Sequence, residues 1–189
     1  HVQIARGERV LITGDQDGGL TTLFRAIAGL WLWGSGVIRL PALEPIMFMP
    51  RRPYMPAGPL REALVYPSAA DTFRNEDLAA ACARLGLAHL CGQLDRDANW
   101  GDELGGDELQ RLAFARLLLH KPRWVCIHDG ADALDEAGHK TVISIFDNEL
   151  AAAAVIILGR QDLSEGFSKR VLQLVKMSTT KSAAAAGPG

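Results

Sequence analysis

The stretch with the most chemistry in it is Gly14, Asp15, Gln16, Asp17, Gly18, Gly19, Leu20, Thr21 and Thr22. It follows an apolar run, Val10-Leu11-Ile12-Thr13, and opens a helical pattern, Leu23-Phe24-Arg25-Ala26-Ile27-Ala28-Gly29-Leu30. Strand, glycine loop and helix are the context of a phosphate-binding loop of the pattern G-x-x-x-x-G-K-[ST]. Such a loop meets its anion with backbone N–H groups and the positive end of the helix. Its lysine adds a charge at the β- and γ-phosphates, and its Ser/Thr hydroxyl ligates magnesium. Gly14, Gly19 and Thr21 fall in register, but position 20 is leucine, and Asp15 and Asp17 add two carboxylates. A charged hydrogen bond is worth roughly 1.5–3 kcal/mol. A carboxylate held near phosphate costs about 1–4 kcal/mol. The combined loss is about 3–6 kcal/mol, or two to four decades of affinity. Two readings stand side by side: a phosphate loop stripped of its cation, or an ordinary glycine-rich turn that never held phosphate.

The elements that must position this loop follow from periodicity. Apolar runs at residues 10–13, 46–49, 124–128, 155–158 and 171–175 read as core strands, and residues 37–40 as a short one. Residues 1–6 alternate weakly and read as the last strand of an antiparallel piece. Helices are expected at about 21–30, in the region beginning at 60–65, at 76–85 with Asn75 as cap and Gly86 as stop, at 108–120, and at 136–150. Trp31, Trp33 and Trp100 read as packing residues. Prolines keep residues 51–59 irregular, and residues 92–107 form a polar stretch. Strands that alternate with helices and are apolar almost throughout predict an α/β fold, with a mostly parallel sheet covered on both faces and a helical insert at about 60–110. Residues 177–189 read as a flexible tail.

Composition narrows the partners. The chain has 189 residues, 48% of them hydrophobic, with a net charge of −2. That is enough for one domain with a real core, and it carries no polycationic field for nucleic acid. No apolar run approaches the ~20 residues that span a bilayer. No leader opens the chain, which starts at His1 and reads as an excised domain. Cys82, Cys91 and Cys126 read as buried thiols of a reducing compartment, not as a disulfide or metal framework.

A second constellation lies at Leu104-Gly105-Gly106-Asp107-Glu108-Leu109-Gln110-Arg111-Leu112. It resembles the signature L-S-x-G-[EQ]-x-Q-R of ATP-binding-cassette (ABC) transporter nucleotide-binding domains, through Leu104, Glu108, Gln110 and Arg111. The run from Trp124 to Asp129 and then Ala133-Leu134-Asp135-Glu136 is similar to that family's Walker B strand and D-loop, and Met49-Pro50-Arg51-Arg52-Pro53-Tyr54 to its Q-loop. Leu30-Trp31-Leu32-Trp33-Gly34 and Arg61-Glu62-Ala63-Leu64-Val65-Tyr66-Pro67 resemble the branch of fused permease/ATPase exporters. That branch is related to peroxisomal fatty-acyl transporters and to bacterial peptide and cobalamin uptake proteins. The resemblance covers about residues 4–175. It implies a P-loop NTPase-like fold over residues 1–176, truncated at its N-terminus. It also implies ATP and Mg2+ as cofactors, a fused or docked transmembrane permease domain, a second nucleotide-binding domain as dimer partner, and the cytoplasmic face of a membrane.

The resemblance also locates the departures. His128 stands where the family has its magnesium-orienting aspartate, and Asp129 where it has its catalytic glutamate. Arg51 replaces the Q-loop glutamine, Gly105 the signature serine, Asp107 a signature glycine and Arg160 the switch histidine. The packing positions Leu23, Ile27, Leu30, Leu112, Phe114, Ala115, Leu117, Val125 and Ile127 stay close to pattern. The expectation is a kept fold with a dismantled site: a pseudo-ATPase that supports or regulates a membrane domain. A weak ATPase using Asp129 and Thr21, and a non-hydrolysing nucleotide sensor, are the alternatives. His128 reads as a strand-end histidine satisfied by a backbone carbonyl. As a metal pair, His128 and Asp129 are poor, since neighbours on a strand point to opposite faces.

Overall fold

The computed structural model describes residues 1–14 and 19–175. In chain order the elements are β1 (Arg9–Gly14), α1 (Gly19–Ile27), β2 (Ile46–Met49), β3 (Gly58–Pro59), α2 (Leu60–Val65) and α3 (Asn75–Arg84). After α3 come a 3-10 turn (Ala88–Gln93), β4 (Asp97–Ala98), α4 (Trp100–Glu103), α5 (Gly106–His120), β5 (Trp124–His128), α6 (Glu136–Asp147), β6 (Ala154–Leu158) and β7 (Arg170–Leu174). Five strands form one sheet in the order β2-β5-β6-β1-β7, and β3 pairs with β4 in a separate antiparallel ribbon. Every neighbour in the larger sheet is parallel. That agrees with the near-continuous apolar strands, which are buried on both faces.

Alternation along the strands sorts the core into two layers. Val10, Ile12, Cys126 and Leu158 point to one face, where Phe24 of α1 covers them. Leu11, Val125, Ile127, Val155 and Ile157 point to the other, into a larger core closed by α2, α3, α5 and α6. Trp100 is fully buried in that core and donates its indole N–H to the Gly58 carbonyl at 2.8 Å. Arg96 stacks on the same ring, 4.5 Å from its centre. Trp100→Phe leaves the Gly58 carbonyl without its donor, and is expected to lower stability by about 1–3 kcal/mol in a urea melt. An unchanged midpoint would sever this link between the ribbon and the helical region.

Several expectations need correction. Residues 1–6 and 37–40 form no strand, because no strand among the described residues lies beside them to complete a ladder. Val37 is 78% exposed in consequence. Helix α1 ends at Ile27, and Gly29 turns the chain with φ 73°, so Leu30 is exposed rather than packed. Trp33 is exposed too, edge-on to Trp31. Asn75 is the first residue of α3 rather than its cap, and its side chain accepts from Arg61 at 3.0 Å. Cys82 and Cys126 are buried free thiols, each pushed up to about 12 by that burial, whereas Cys91 is only half-buried. Residues 177–189 lie outside the described residues.

Candidate functional site

In a parallel sheet the carboxyl ends of the strands share one edge, where open α/β folds hold their ligands. Gly14 ends β1, and Met49 ends β2 just before Arg51. His128 ends β5 just before Asp129, and Leu158 ends β6 just before Arg160. Register confirms the alignment: Ile12 and His128 both pair with Leu158, and Met49 pairs with Ile127. Topology alone therefore brings these sequence candidates to one edge.

The glycines at the head of α1 have a packing reason. A β-carbon on Gly14 would lie 3.2 Å from the Leu174 Cβ and 3.4 Å from the Leu20 Cδ2. One on Gly19 would lie 3.1 Å from the Leu174 Cδ2. Leu20 is half-buried and joins Leu23 and Ile27 against the layer of Val10, Ile12 and Phe24. Position 20 thus supplies apolar contact and no cation. Asp15, Gln16, Asp17 and Gly18 lie outside the described residues. Thr22 is half-buried on the first turn of α1.

Thr21 Oγ1 lies 3.3 Å from His128 Nε2. The imidazole stacks on Phe24 with ring centres 5.3 Å apart and planes 26° from parallel. It is 13% exposed. His128 therefore meets a side-chain hydroxyl rather than the backbone carbonyl expected of it. Asp129 breaks the strand rule: its φ of 47° is left-handed, and its Oδ2 turns back to within 3.7 Å of His128 Nε2. The two side chains face one point, against the sequence expectation of opposite faces. The other carboxylate oxygen lies where Gly159 has room for it, 2.8 Å from where a β-carbon on Gly159 would stand.

Beyond this point a cleft of about 480 Å3 opens, lined by Arg51, Asp129, Asp132, His139, Arg160 and Asp162 among others. Asp132, His139 and Asp162 were not flagged by sequence reasoning. They lie in loops and on a helix whose spacing marks nothing, and only the β5 and β6 ends bring them together. Asp162 is a turn residue that accepts from the Leu163 and Ser168 amides at 2.9 and 2.6 Å. Burial, then the Asp129 charge, push the Asp132 carboxyl above the usual carboxylate range. A raised carboxyl destabilises the fold once ionised, and that cost vanishes as pH falls below the carboxylate range. Asp132→Asn is therefore expected to raise the melting temperature at pH 7 and to leave it unchanged under acid. A variant that is less stable at neutral pH would refute this.

The signature residues 104–108 line no part of that cleft. Leu104 and Gly106 border a smaller one with Arg51 and Gln110. Here the chain satisfies itself. The Gly105 amide donates to Glu108 Oε2 at 3.1 Å, and His89 Nε2 lies 3.0 Å from Glu108 Oε1. Asp107 accepts from Arg111 at 2.6 Å, and Arg111 also reaches Asp135 at 2.6 Å and the Leu85 carbonyl at 3.0 Å. Asp107 and Glu108 put negative charge at the positive end of the 15-residue helix α5. Gln110 braces two loops, accepting from the Ala133 amide at 2.9 Å and donating to the Arg51 carbonyl.

The resemblance implies two groups here, magnesium and a nucleoside triphosphate. Magnesium takes near-octahedral oxygen ligands and keeps several waters. The head of α1 and the end of β5 offer it the Thr21 hydroxyl and the Asp129 carboxylate, both facing the His128 imidazole, a poor donor set for magnesium. A triphosphate at the head of α1 would find no cation at position 20. Among the described residues, no group of three or more His, Cys, Asp or Glu side chains is placed to hold a metal ion.

No protein-family model matches the chain. Curated proteins do. An uncharacterized ABC transporter ATP-binding protein of Haemophilus influenzae is 34% identical over 92% of the chain, which spans 29% of that protein. One of Synechocystis sp. is 40% identical over 70% of the chain and 20% of its own length. The human lysosomal cobalamin transporter ABCD4 is 32% identical over 92% of the chain and 30% of its own length. The chain thus spans under a third of each of these relatives. A bacterial Atm1-family ABC exporter, solved with ATP bound, shares the fold over 92% of the chain and 34% of its own, with a TM-score of 0.76 at 20% identity. The chain belongs to the ATP-binding proteins of the ABC transporters.

Proposed function

We propose that the chain is a degenerate nucleotide-binding domain, a pseudo-ATPase that binds nucleotide weakly or not at all and supports or regulates a membrane transport domain. The head of α1 carries this reading. Leu20 packs against Val10, Ile12 and Phe24 where a phosphate loop needs a cation, and Thr21 meets an imidazole where it needs a metal. Residues 1–176 act as one domain, with a helical subdomain at about 60–110. Asp129 and Arg160 stand at the catalytic positions; Arg51, the loop 14–22 and the signature 104–108 stand at the nucleotide positions.

The partners follow from what the relatives are and from one exposed surface. A transmembrane permease domain, fused or docked at the cytoplasmic face of a membrane, and a second nucleotide-binding domain complete the assembly. Arg51, Arg52 and Tyr54 are exposed, and the Tyr54 ring lies edge-on to that of Tyr66 at 5.3 Å. They form the contact for the membrane domain. No helix of the described residues is long and apolar enough to cross a membrane.

One observation favours a second reading, a weak ATPase. Asp129 opens onto the 480 Å3 cleft with Arg51 and Arg160, where it has room to orient a water. Calorimetric titration with Mg-ATP separates the two. No saturable heat up to millimolar ATP is the expected result. Micromolar binding with slow phosphate release that is lost in Asp129→Asn would overturn the proposal in favour of the second reading.

A further inference from the structure

We propose that Cys82 and Cys91 form a redox-sensitive pair: two thiols in the resting chain, joined as a disulfide when hydrogen peroxide reaches Cys91. The end of α3 sets the geometry. Arg84 is its last residue, and Gly86 turns the chain with φ 76°. The Gly86 amide donates to the Ala83 carbonyl at 3.0 Å, and the Leu87 amide to the Cys82 carbonyl at 2.8 Å. These are the two bonds of a Schellman motif, and the outer one closes on Cys82. The reversal brings the 3-10 turn Ala88–Gln93 back against the helix. Cys91 Sγ then lies 3.6 Å from the Ala79 carbonyl, one turn before Cys82 on the same face of α3, and 4.0 Å from the Leu87 carbonyl. The Cys82 and Cys91 thiols are within hydrogen-bonding reach of each other.

The two sulfurs differ in access. Cys82 is fully buried, and burial, then the Cys91 thiol beside it, push it up to about 12. Cys91 is half-buried, so the oxidant enters there. Cys126 is the contrast, buried in the other layer among Val10, Ile12, Phe24 and Leu158. Zinc is no alternative use of the pair, since among the described residues no third His, Cys, Asp or Glu completes a ligand group.

The chemistry balances. The Cys91 sulfur attacks one peroxide oxygen, the O–O bond breaks, water leaves and Cys91 becomes a sulfenic acid. The Cys82 sulfur then attacks the Cys91 sulfur, the S–O bond breaks, and a second water carries off the Cys82 proton. Two electrons pass from sulfur to oxygen. A protonated Cys82 is a poor nucleophile toward dissolved oxidant. It reacts here because Cys91 is held against it. In a reducing compartment such a pair rests as thiols, and its disulfide is transient. Once formed, the bridge fastens the 3-10 turn to α3. That corner also carries the Leu85 carbonyl held by Arg111 and the His89 ring that meets Glu108. Oxidation therefore stiffens the support on which α5 begins.

In the test, the full chain is exposed to hydrogen peroxide while folded, alkylated in guanidinium and digested with trypsin. Arg84 lies between the two cysteines, so a bridge is read as peptide 75–84 joined to peptide 85–96. The expected result is that linked pair, released by dithiothreitol, with Cys126 alkylated. Cys91→Ser is expected to leave Cys82 alkylated at the same peroxide concentration. The bridged chain is expected to unfold at a higher urea concentration than the reduced one. Cys91 recovered as sulfinic acid beside an alkylated Cys82 would overturn the proposal, because sulfurs that meet would have bridged first. So would a bridge that forms only after unfolding in urea, or a Cys82 oxidised as fast without Cys91. A bridged chain less stable than the reduced one would overturn the fastening of the turn.

Discussion

Arg116→Ala is expected to lower stability by about 3–5 kcal/mol, the largest single loss in this chain outside its apolar core. Arg116 sits on α5 and is buried, and its partners among the described residues are two carbonyls and a sulfur rather than a carboxylate. Its Nε donates to the Ala63 carbonyl at 2.6 Å, Nη1 to the Tyr54 carbonyl at 2.8 Å, and Nη2 lies 3.0 Å from the Met55 sulfur. The Tyr66 ring lies 5.4 Å above the guanidinium carbon. One side chain thus fastens the loop after β2 and helix α2 to α5. Burial pushes its pKa down to about 10, which means that folding makes the cation pay for its surroundings. Truncation to alanine leaves the buried Ala63 carbonyl and the partly buried Tyr54 carbonyl without donors, at about 1–3 kcal/mol for a buried one, and a void where the stem lay.

Arg116→Met separates those contributions. It fills most of the volume and removes the desolvated charge, but still leaves the two carbonyls. It is expected to cost less than alanine, by about 1–2 kcal/mol. The sign with pH follows from the direction of the shift. A depressed arginine penalises the fold at all pH below about 10 and relaxes only above it. The cost of either variant is therefore flat across neutral pH. Midpoints from urea unfolding decide the matter; a methionine variant no more stable than the alanine one would mean that the lost donors, and not the void, account for the loss.

Arg116 also shows what the sequence could not display. It stands in Leu112-Ala113-Phe114-Ala115-Arg116-Leu117, and nothing local says that it faces inward, because its partners are carbonyls 53 and 62 residues away. The same limit applies to Asp132, His139 and Asp162, which meet across a cleft made by the ends of different strands. The sheet itself was legible, because five apolar runs bounded by turn residues can satisfy their backbones only by pairing. Its parallel sense was legible from the helices between the strands. The strand expected at 37–40 failed because a pattern of apolar residues specifies a strand only where a neighbour exists. The His128–Asp129 pair was misread because alternation holds inside a strand, while Asp129, with its φ of 47°, is already outside it. The signature was legible as residue types, and the consequence of Asp107 was not. Only the fold shows Arg111 turning that carboxylate toward Asp135.

The Leu20→Lys, His128→Asp double variant is expected to gain ATP affinity by on the order of a hundredfold or more in the presence of Mg2+. The fold retains what the gain requires. Gly14 and Gly19 keep the approach to Leu174 free of side chains, and Thr21 lies in the first turn of α1. Leu20 is only half-buried, so a lysine can lay its stem along the same apolar surface and carry its ammonium outward. Restoring one charged contact is worth roughly 1.5–3 kcal/mol, about ten- to a hundredfold. Restoring a carboxylate behind the metal is worth roughly ten- to a hundredfold in metal affinity. The two changes act through different partners, and this separates them experimentally. Leu20→Lys alone should raise affinity both in EDTA and in Mg2+, since its charge meets phosphate directly. His128→Asp alone should raise it only in Mg2+. The double variant should show their product in Mg2+ and the lysine effect alone in EDTA. If calorimetry finds no gain in the double variant while circular dichroism reports a native fold, the barrier to nucleotide does not lie at the head of α1. Asp107, fastened by Arg111 at the start of α5, would then be the next residue to replace with glycine.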